Sequence, residues 1–252
     1  MDTIQTLLQH RTIRKYKNTP VSPEDLNTIL KAAIRGSNTG NMQLYSIIVT
    51  QDASMKEQLA PTHFNQKMVT EAPVLMTFCA DINRFNKWCE QRNATPGYDN
   101  FQSFSWAMID AVIAAQNACV AAEALGLGIC YLGTTTFNAD KIIDVLKLPK
   151  GVVPITTISI GYAEDMPGLT DRLPMEAVVH HEVYTDYNVA DVDRLFAEKE
   201  NLSSSIDLVK LNETENLAQI FAHKRYAKND NIHFSKLWLK VLDDQGFMNH
   251  DC

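Results

Sequence analysis

Residues 106–128, WAMIDAVIAAQNACVAAEALGLG, constrain this chain more than any other stretch. Alanine dominates, proline is absent, and the first glycine is Gly126. Alanine, leucine and methionine lose little conformational freedom in a helix, so the local preference is strong. About twenty helical residues would span roughly 30 Å, the width of a small domain. The strongly polar members are Asp110, Gln116, Asn117 and Glu123. At about 100° per residue the last three share roughly a third of the circumference, and the rest is apolar. A helix apolar over most of its surface is buried or crosses a membrane. Asp110 and Glu123 make the membrane placement costly. The pattern predicts a central buried helix stopped by Gly126 and Gly128. Its small side chains would let neighbouring elements, or a second copy of the chain, approach closely.

A chain of 252 residues can bury a large core as one domain or two. Hydrophobic content of 45% and charged content of 21% are ordinary for a soluble globular enzyme. A net charge of −7 argues against general nucleic-acid affinity but leaves room for a local pocket for one phosphate. The N-terminus has no basic region followed by an apolar core, so no signal peptide is expected. Cys79, Cys89, Cys119, Cys130 and Cys252 show no CxxC spacing. Their odd number fits reduced thiols in a cytoplasm better than a disulfide framework.

Residues 2–9 read as a short helix that delivers the basic segment His10-Arg11-Thr12-Ile13-Arg14-Lys15-Tyr16. Ser22-Pro23-Glu24-Asp25 is a helix start, with Ser22 as N-cap and acids in the first turn. A polar loop, residues 36–41, leads to a strand at 45–50. A helical pair near 53–60 and 64–71 precedes the strand 74–80, and 81–92 is helical. After the central helix come a strand at 129–132 and a helix at 138–146 capped by Asn138. Residues 152–162 are the best strand, with Pro154 near its start. Residues 166–174 form a turn-rich loop, and 175–180 return as a strand. From Asp186 the chain turns to polar helices, one marked by Leu217, Ile220 and Phe221 and another by Phe234, Leu237, Trp238 and Val241. The order is an α+β mixture without regular βα alternation.

No Walker A, HExxH or GxSxG motif is present. Gly126-Leu127-Gly128 follows a helix and has no glycine three residues on, so the dinucleotide fingerprint fails. His180-His181-Glu182 reads as a solvated strand end, because adjacent strand residues face opposite ways. The positive signal is HRTIRKY. From residue types alone it is either a solvated basic turn or a phosphate clamp. In the second reading Arg11 offers a planar donor fork, Thr12 a hydroxyl and the backbone further N–H groups.

This segment resembles the opening motif of the FMN-dependent nitroreductase family. Gln66-Lys67-Met68-Val69, the central AAQNACVAAEALGLG followed by YLG, and Leu169-Thr170-Asp171-Arg172-Leu173-Pro174 resemble its NADPH-flavin reductase and oxygen-insensitive nitroreductase branch. Each piece is weak; their order and spacing over residues 4 to about 185 are specific. The resemblance implies a homodimeric α+β sandwich, with a mostly antiparallel sheet flanked by helices. Residues 1–185 would form the FMN-binding core and 186–252 a C-terminal helical excursion. One FMN would sit in each of two clefts at the dimer interface. His10, Arg11 and Thr12 match residues around its phosphate and ribityl chain, and Arg172 a second phosphate contact. Arg14 and Gln66, with Met68 nearby, match groups at the pyrimidine side. Tyr131, Leu132, Gly133 and Thr134 match the stretch beside the dimethylbenzene and N5 region. Asn38, with Gln43 nearby, matches a position supplied by the partner subunit.

The implied activity is ping-pong hydride transfer from NADH or NADPH to nitroaromatics, quinones or free flavins. The flavin N5 would carry the hydride, so no side-chain nucleophile, general base or metal is required. The alternative on the same scaffold is a non-catalytic flavin- or nucleotide-binding protein. Partners would be a second copy and small aromatic acceptors, with neither nucleic acid nor membrane. Two departures stand out. Thr134 stands where the family's loop often has a second glycine, and Thr170-Asp171-Arg172 replaces Lys-Pro-Arg, losing a positive charge and gaining an acid. The stretch Leu211-Asn212-Glu213-Thr214-Glu215 is acidic where NADPH-preferring relatives are basic, which predicts weak NADPH selectivity or a preference for NADH.

Overall fold

A four-stranded antiparallel sheet, in the order β1-β2-β4-β3, organises the larger of two compact units. The computed structural model describes residues 2–250, so Cys252 lies outside the described residues. By contact, the first unit holds the residues up to Gly168 and those from Lys236 on; the second is Leu169–Ser235. The change of character at Asp186 set the expected boundary at 185/186, whereas the contacts put it at 168/169.

The first unit runs α1 (Thr3–Leu8), α2 (Pro23–Ala33), β1 (Tyr45–Thr50), α3 (Ala53–Leu59), α4 (Lys67–Glu71) and β2 (Val74–Asp81). It continues with α5 (Asn83–Glu90), α6 (Phe101–Ala124), β3 (Gly128–Leu132), α7 (Ala139–Leu146) and β4 (Val152–Gly161). The second unit contains α8 (Val189–Asn201), α9 (Ser203–Leu211) and α10 (Leu217–Gln219), which runs into a π-helical turn Ile220–Arg225. The last helix is α11 (Lys228–Asp244).

Successive strand side chains face opposite ways, and β2 divides accordingly. Val74, Met76, Phe78 and Ala80 join Ala107, Ala111, Ala114 and Ala118 of α6 and Ile29 and Ala33 of α2 in one apolar layer. Leu75 joins Leu59, Met68, Val69 and Ile142 in a second layer. Pro154 is accommodated by a bulge: Phe78 faces Thr156 and Cys79 faces Pro154, leaving Ile155 extra. Proline brings no N–H to the ladder, and the register shift absorbs the missing donor.

The central helix is as expected, although it starts earlier than Trp106. Asn100 caps it, its Oδ1 accepting from the Ser103 N–H at 3.1 Å. By length and composition alone α6 could cross a membrane, but its alanines form the core of this domain. Ser22 caps α2 as predicted, accepting from the Asp25 N–H at 3.0 Å. Cys79, Cys89, Cys119 and Cys130 are buried and unpaired. Burial pushes the Cys119 thiol up to about 12, which keeps it protonated and inert.

Three local expectations fail. Asn138 does not cap α7: its Nδ2 donates to the Thr62 carbonyl at 2.9 Å, and a 3₁₀ turn Thr135–Asn138 supplies the helix entry. The helix expected from 64 begins only at Lys67, because Phe64 and Asn65 take left-handed backbone with φ of 54° and 55°. Residues 175–180 form no strand but a 3₁₀ turn, Met175–Ala177. With Met175 76% and Val178 68% exposed, that apolar run finds no ladder to join.

Candidate functional site

Residues 10–17 lie along the open edge of β3 and beyond it. The Ile13 N–H donates to the Ile129 carbonyl at 2.8 Å, and Thr12 forms a parallel bridge with Ile129. Farther on, the Lys17 N–H donates to the Tyr162 carbonyl at 2.8 Å and Tyr16 bridges Ala163. Ile13 and Tyr16 face inward, while Arg14 and Lys15 are exposed. This approach explains Gly128, where a Cβ would lie 2.5 Å from Ile13 Cγ1. Gly126 acts through its backbone instead, ending α6 in the left-handed region with a φ of +82°.

The basic segment is anchored to the central helix. His10 Nδ1 lies 2.7 Å from Glu123 Oε1. Among the described residues Arg11 donates only to neutral oxygens: the Gln9 carbonyl at 3.3 Å, Gln9 Oε1 at 3.1 Å and the Pro167 carbonyl at 3.3 Å. It borders a cleft of about 280 Å³ with Ile13, Glu123, Leu127, Gly128 and Met166. Among the described residues Arg14 has neither a hydrogen-bond acceptor nor a carboxylate partner. A guanidinium without a carboxylate is available to an anionic ligand.

Near the middle of α6, thirteen residues before Glu123, Asp110 is 1% exposed and organises the polar loop. It accepts from Thr39 N at 2.8 Å, Thr39 Oγ1 at 3.0 Å and Leu44 N at 3.1 Å. Within that loop Asn38 Oδ1 accepts from the Gln43 N–H at 3.3 Å. Asp110 and Glu123 are thirteen residues apart on one helix. That spacing is about 20 Å, so Asn38 and Gln43 are anchored well away from His10 and Arg11 in one chain.

A third group meets at the end of β3. Tyr131 is 37% exposed and its hydroxyl donates to Gln116 Oε1 at 3.2 Å. Leu132 is buried, and a side chain at Gly133 would meet open space. Thr134 Oγ1 lies 2.9 Å from Nδ1 of His63. The His63 carbonyl in turn accepts from Gln66 N at 3.2 Å, so His63 ties the 66 and 134 stretches together. The Gln66 side-chain amide has no hydrogen bond among the described residues. Met68 is 8% exposed and packs in the second apolar layer. Asn117, the other polar residue on α6, donates to the Ala32 carbonyl at 3.2 Å and satisfies the end of α2.

Arg172 belongs to the second unit. Its Nη1 donates to Thr170 Oγ1 at 2.7 Å and to the carbonyls of Thr170 and Asp171. The Asp171 carboxylate instead takes Lys199 Nζ at 2.6 Å, and that hydrogen bond holds its pKa below the usual carboxylate range. The acid gained beside Arg172 is therefore matched by a lysine of this same chain. Among the described residues no group of three or more His, Cys, Asp or Glu could hold a metal ion.

Three features escaped the sequence reading. Glu123 and Asp110 stood out as polar residues on an apolar helix, and a buried carboxylate must find donors. That signal was present, though not the partners. His63 gave none.

Among the described residues Arg11 and Arg14 have no carboxylate ion-pair partner, which leaves both guanidinium groups available to an anionic ligand. Residues 7–162 match the model of the Nitroreductase family, and the chain belongs to that family. It is 35% identical over 185 residues to a Bacillus subtilis (strain 168) protein named FMN reductase (NADPH), covering 73% of this chain and 74% of that one. It is 37% identical over 182 residues to the oxygen-insensitive NADPH nitroreductase of Salmonella typhimurium, covering 72% and 74%. A crystal structure from Bacteroides fragilis NCTC 9343 superposes with a TM-score of 0.95 at 51% identity, covering 99% of this chain and 100% of that one.

Proposed function

We infer that this chain is an FMN-dependent NAD(P)H oxidoreductase that reduces nitroaromatics, quinones or free flavins. The observation that carries this reading is the pair Arg11 and Arg14, without carboxylate ion-pair partners among the described residues, on a Nitroreductase-family fold. Arg11 and Thr12, with His10 behind them, would bind the FMN phosphate. Arg14 brings positive charge to the ring edge that becomes electron-rich on reduction, and Gln66 brings an uncommitted amide to the same edge. The backbone of Tyr131–Thr134 borders the ring. Bound FMN supplies the redox chemistry, which is why no side-chain nucleophile is needed.

We further propose a homodimer. Asn38 and Gln43 are anchored about 20 Å along α6 from His10, so they complete a site only if a second copy supplies them. Ile109 and Val112 of α6 and Ile4, Leu7 and Leu8 of α1 are large exposed apolar residues suited to that contact. In the same reading residues 1–185 hold the flavin, 186–252 form the excursion, and the enzyme works in the cytoplasm with its buried thiols reduced. Glu213 and Glu215 make the excursion a poor host for a 2′-phosphate, so NADH should serve at least as well as NADPH.

The test is direct. The protein should gain thermal stability with added FMN and, once loaded, oxidise NAD(P)H with menadione or nitrofurazone. A protein that stays colourless and gains no stability with FMN overturns the reading. One that binds FMN without turnover is the non-catalytic alternative. Sedimentation should give a dimer that Ile109→Asp dissociates.

A further inference from the structure

His63 sits on the 3₁₀ turn Ala60–His63 and is fully buried. Nδ1 lies 2.9 Å from Thr134 Oγ1, while Nε2 has no partner among the described residues. Desolvation lowers its pKa to about 4, so the ring is neutral near pH 7 and carries one proton. That proton has two possible homes. On Nε2 it would be a buried donor with nothing to bond; on Nδ1 it bonds Thr134 and leaves only an unpaired acceptor. Orphaned buried donors are the rarer of the two, so the geometry selects Nδ1–H donating to Thr134.

A hydroxyl has one proton and two lone pairs. With one lone pair taken by His63, the Thr134 proton must point away from the ring. Thr134 is half-buried, and its hydroxyl has no other partner among the described residues. We infer that His63 is a positioning residue that sets the Thr134 hydroxyl as a hydrogen-bond donor to the bound flavin. The inference rests on the reading that residues 131–134 border FMN. It gives Thr134 a use that glycine at that position could not supply.

The arrangement can be read first without flavin. Nitrogen NMR of the imidazole in the FMN-free protein should show a neutral Nδ1–H tautomer with a slowly exchanging proton, and Thr134→Val should speed that exchange. An Nε2–H tautomer overturns the inference whatever the protein binds. Flavin-fluorescence titration follows. Thr134→Val should weaken oxidised FMN roughly three- to tenfold, the loss of one neutral hydrogen bond. His63→Phe should weaken it equally, the double variant no further, and His63→Asn, which keeps an N–H near the Nδ1 position, should restore most of the affinity. Thr134 is half-buried and valine matches threonine in shape, so its variant should fold even if His63→Phe does not. Wild-type affinity in Thr134→Val, or additive losses in the double variant, overturns the inference. Absence of FMN binding by the wild type would instead remove the functional reading beneath it.

Discussion

At Asp110, α6 takes three hydrogen bonds on a carboxylate that water scarcely reaches; at Glu123 it takes one imidazole nitrogen on a side chain 13% exposed. Both acids hold a polar segment against an otherwise apolar helix. The first carries the loop of Asn38 and Gln43, the second the segment of His10 and Arg11. A buried acceptor shared by several donors fixes a loop rigidly, because no member can leave without stranding the others. A single, partly hydrated contact positions a segment while allowing it to adjust around a ligand. The difference separates a rigidly held loop from an adjustable segment along one helix.

Removing each anchor should expose that difference. Asp110→Ala strands the buried Leu44 N–H and both Thr39 donors, and should cost about 4 kcal/mol in urea unfolding, with Asp110→Asn losing about half. A cost below about 1 kcal/mol would erase the contrast.

Acid provides a test that touches neither anchor. The folded pKa of His63, about 4, lies below its ordinary 6.5, so between these values the unfolded chain binds the proton and the folded one does not. The contribution is intact above pH 6.5 and is lost as pH falls toward 4, about 3 kcal/mol at the limit. His63→Phe should flatten that acid limb.

Gly128→Ala attacks the Glu123 end alone, since its methyl group would meet Ile13. The overpacking should cost about 2 kcal/mol and weaken FMN binding, while amide protection at Leu44 stays unchanged. Glu123→Gln is milder, about 1 kcal/mol, with the larger effect on FMN affinity. Lys199→Ala, outside both ends, loses only a surface ion pair and should change stability by less than about 1 kcal/mol.

Much of the fold was legible because its signals are local. The alanine run, the Ser22 cap and the β-branched strands each carry their own preference, and the structure keeps them. Residues 175–180 looked like a strand for the same reason, but a strand also needs an edge to join, and none was reachable from sequence. The site was legible unevenly. HRTIRKY declared a basic segment, yet its docking on β3 depends on Gly128, more than a hundred positions away. Asp110 advertised itself as a carboxylate on a buried face, while His63 looks like any histidine until Thr134 is seen beside it. Long-range pairing is what a single sequence does not print.

The bridge between Thr12 and Ile129 has a consequence unrelated to flavin. β3 is the last strand of the sheet, and an uncovered last strand is a template on which other chains can grow. The segment that presents His10 to Arg14 also serves as a guard rail on that border. A truncation that removes residues 2–17 would therefore do more than take away the proposed phosphate-binding segment. It would leave an apolar strand with open backbone groups, and the shortened protein should aggregate at its own sheet edge before it could be assayed.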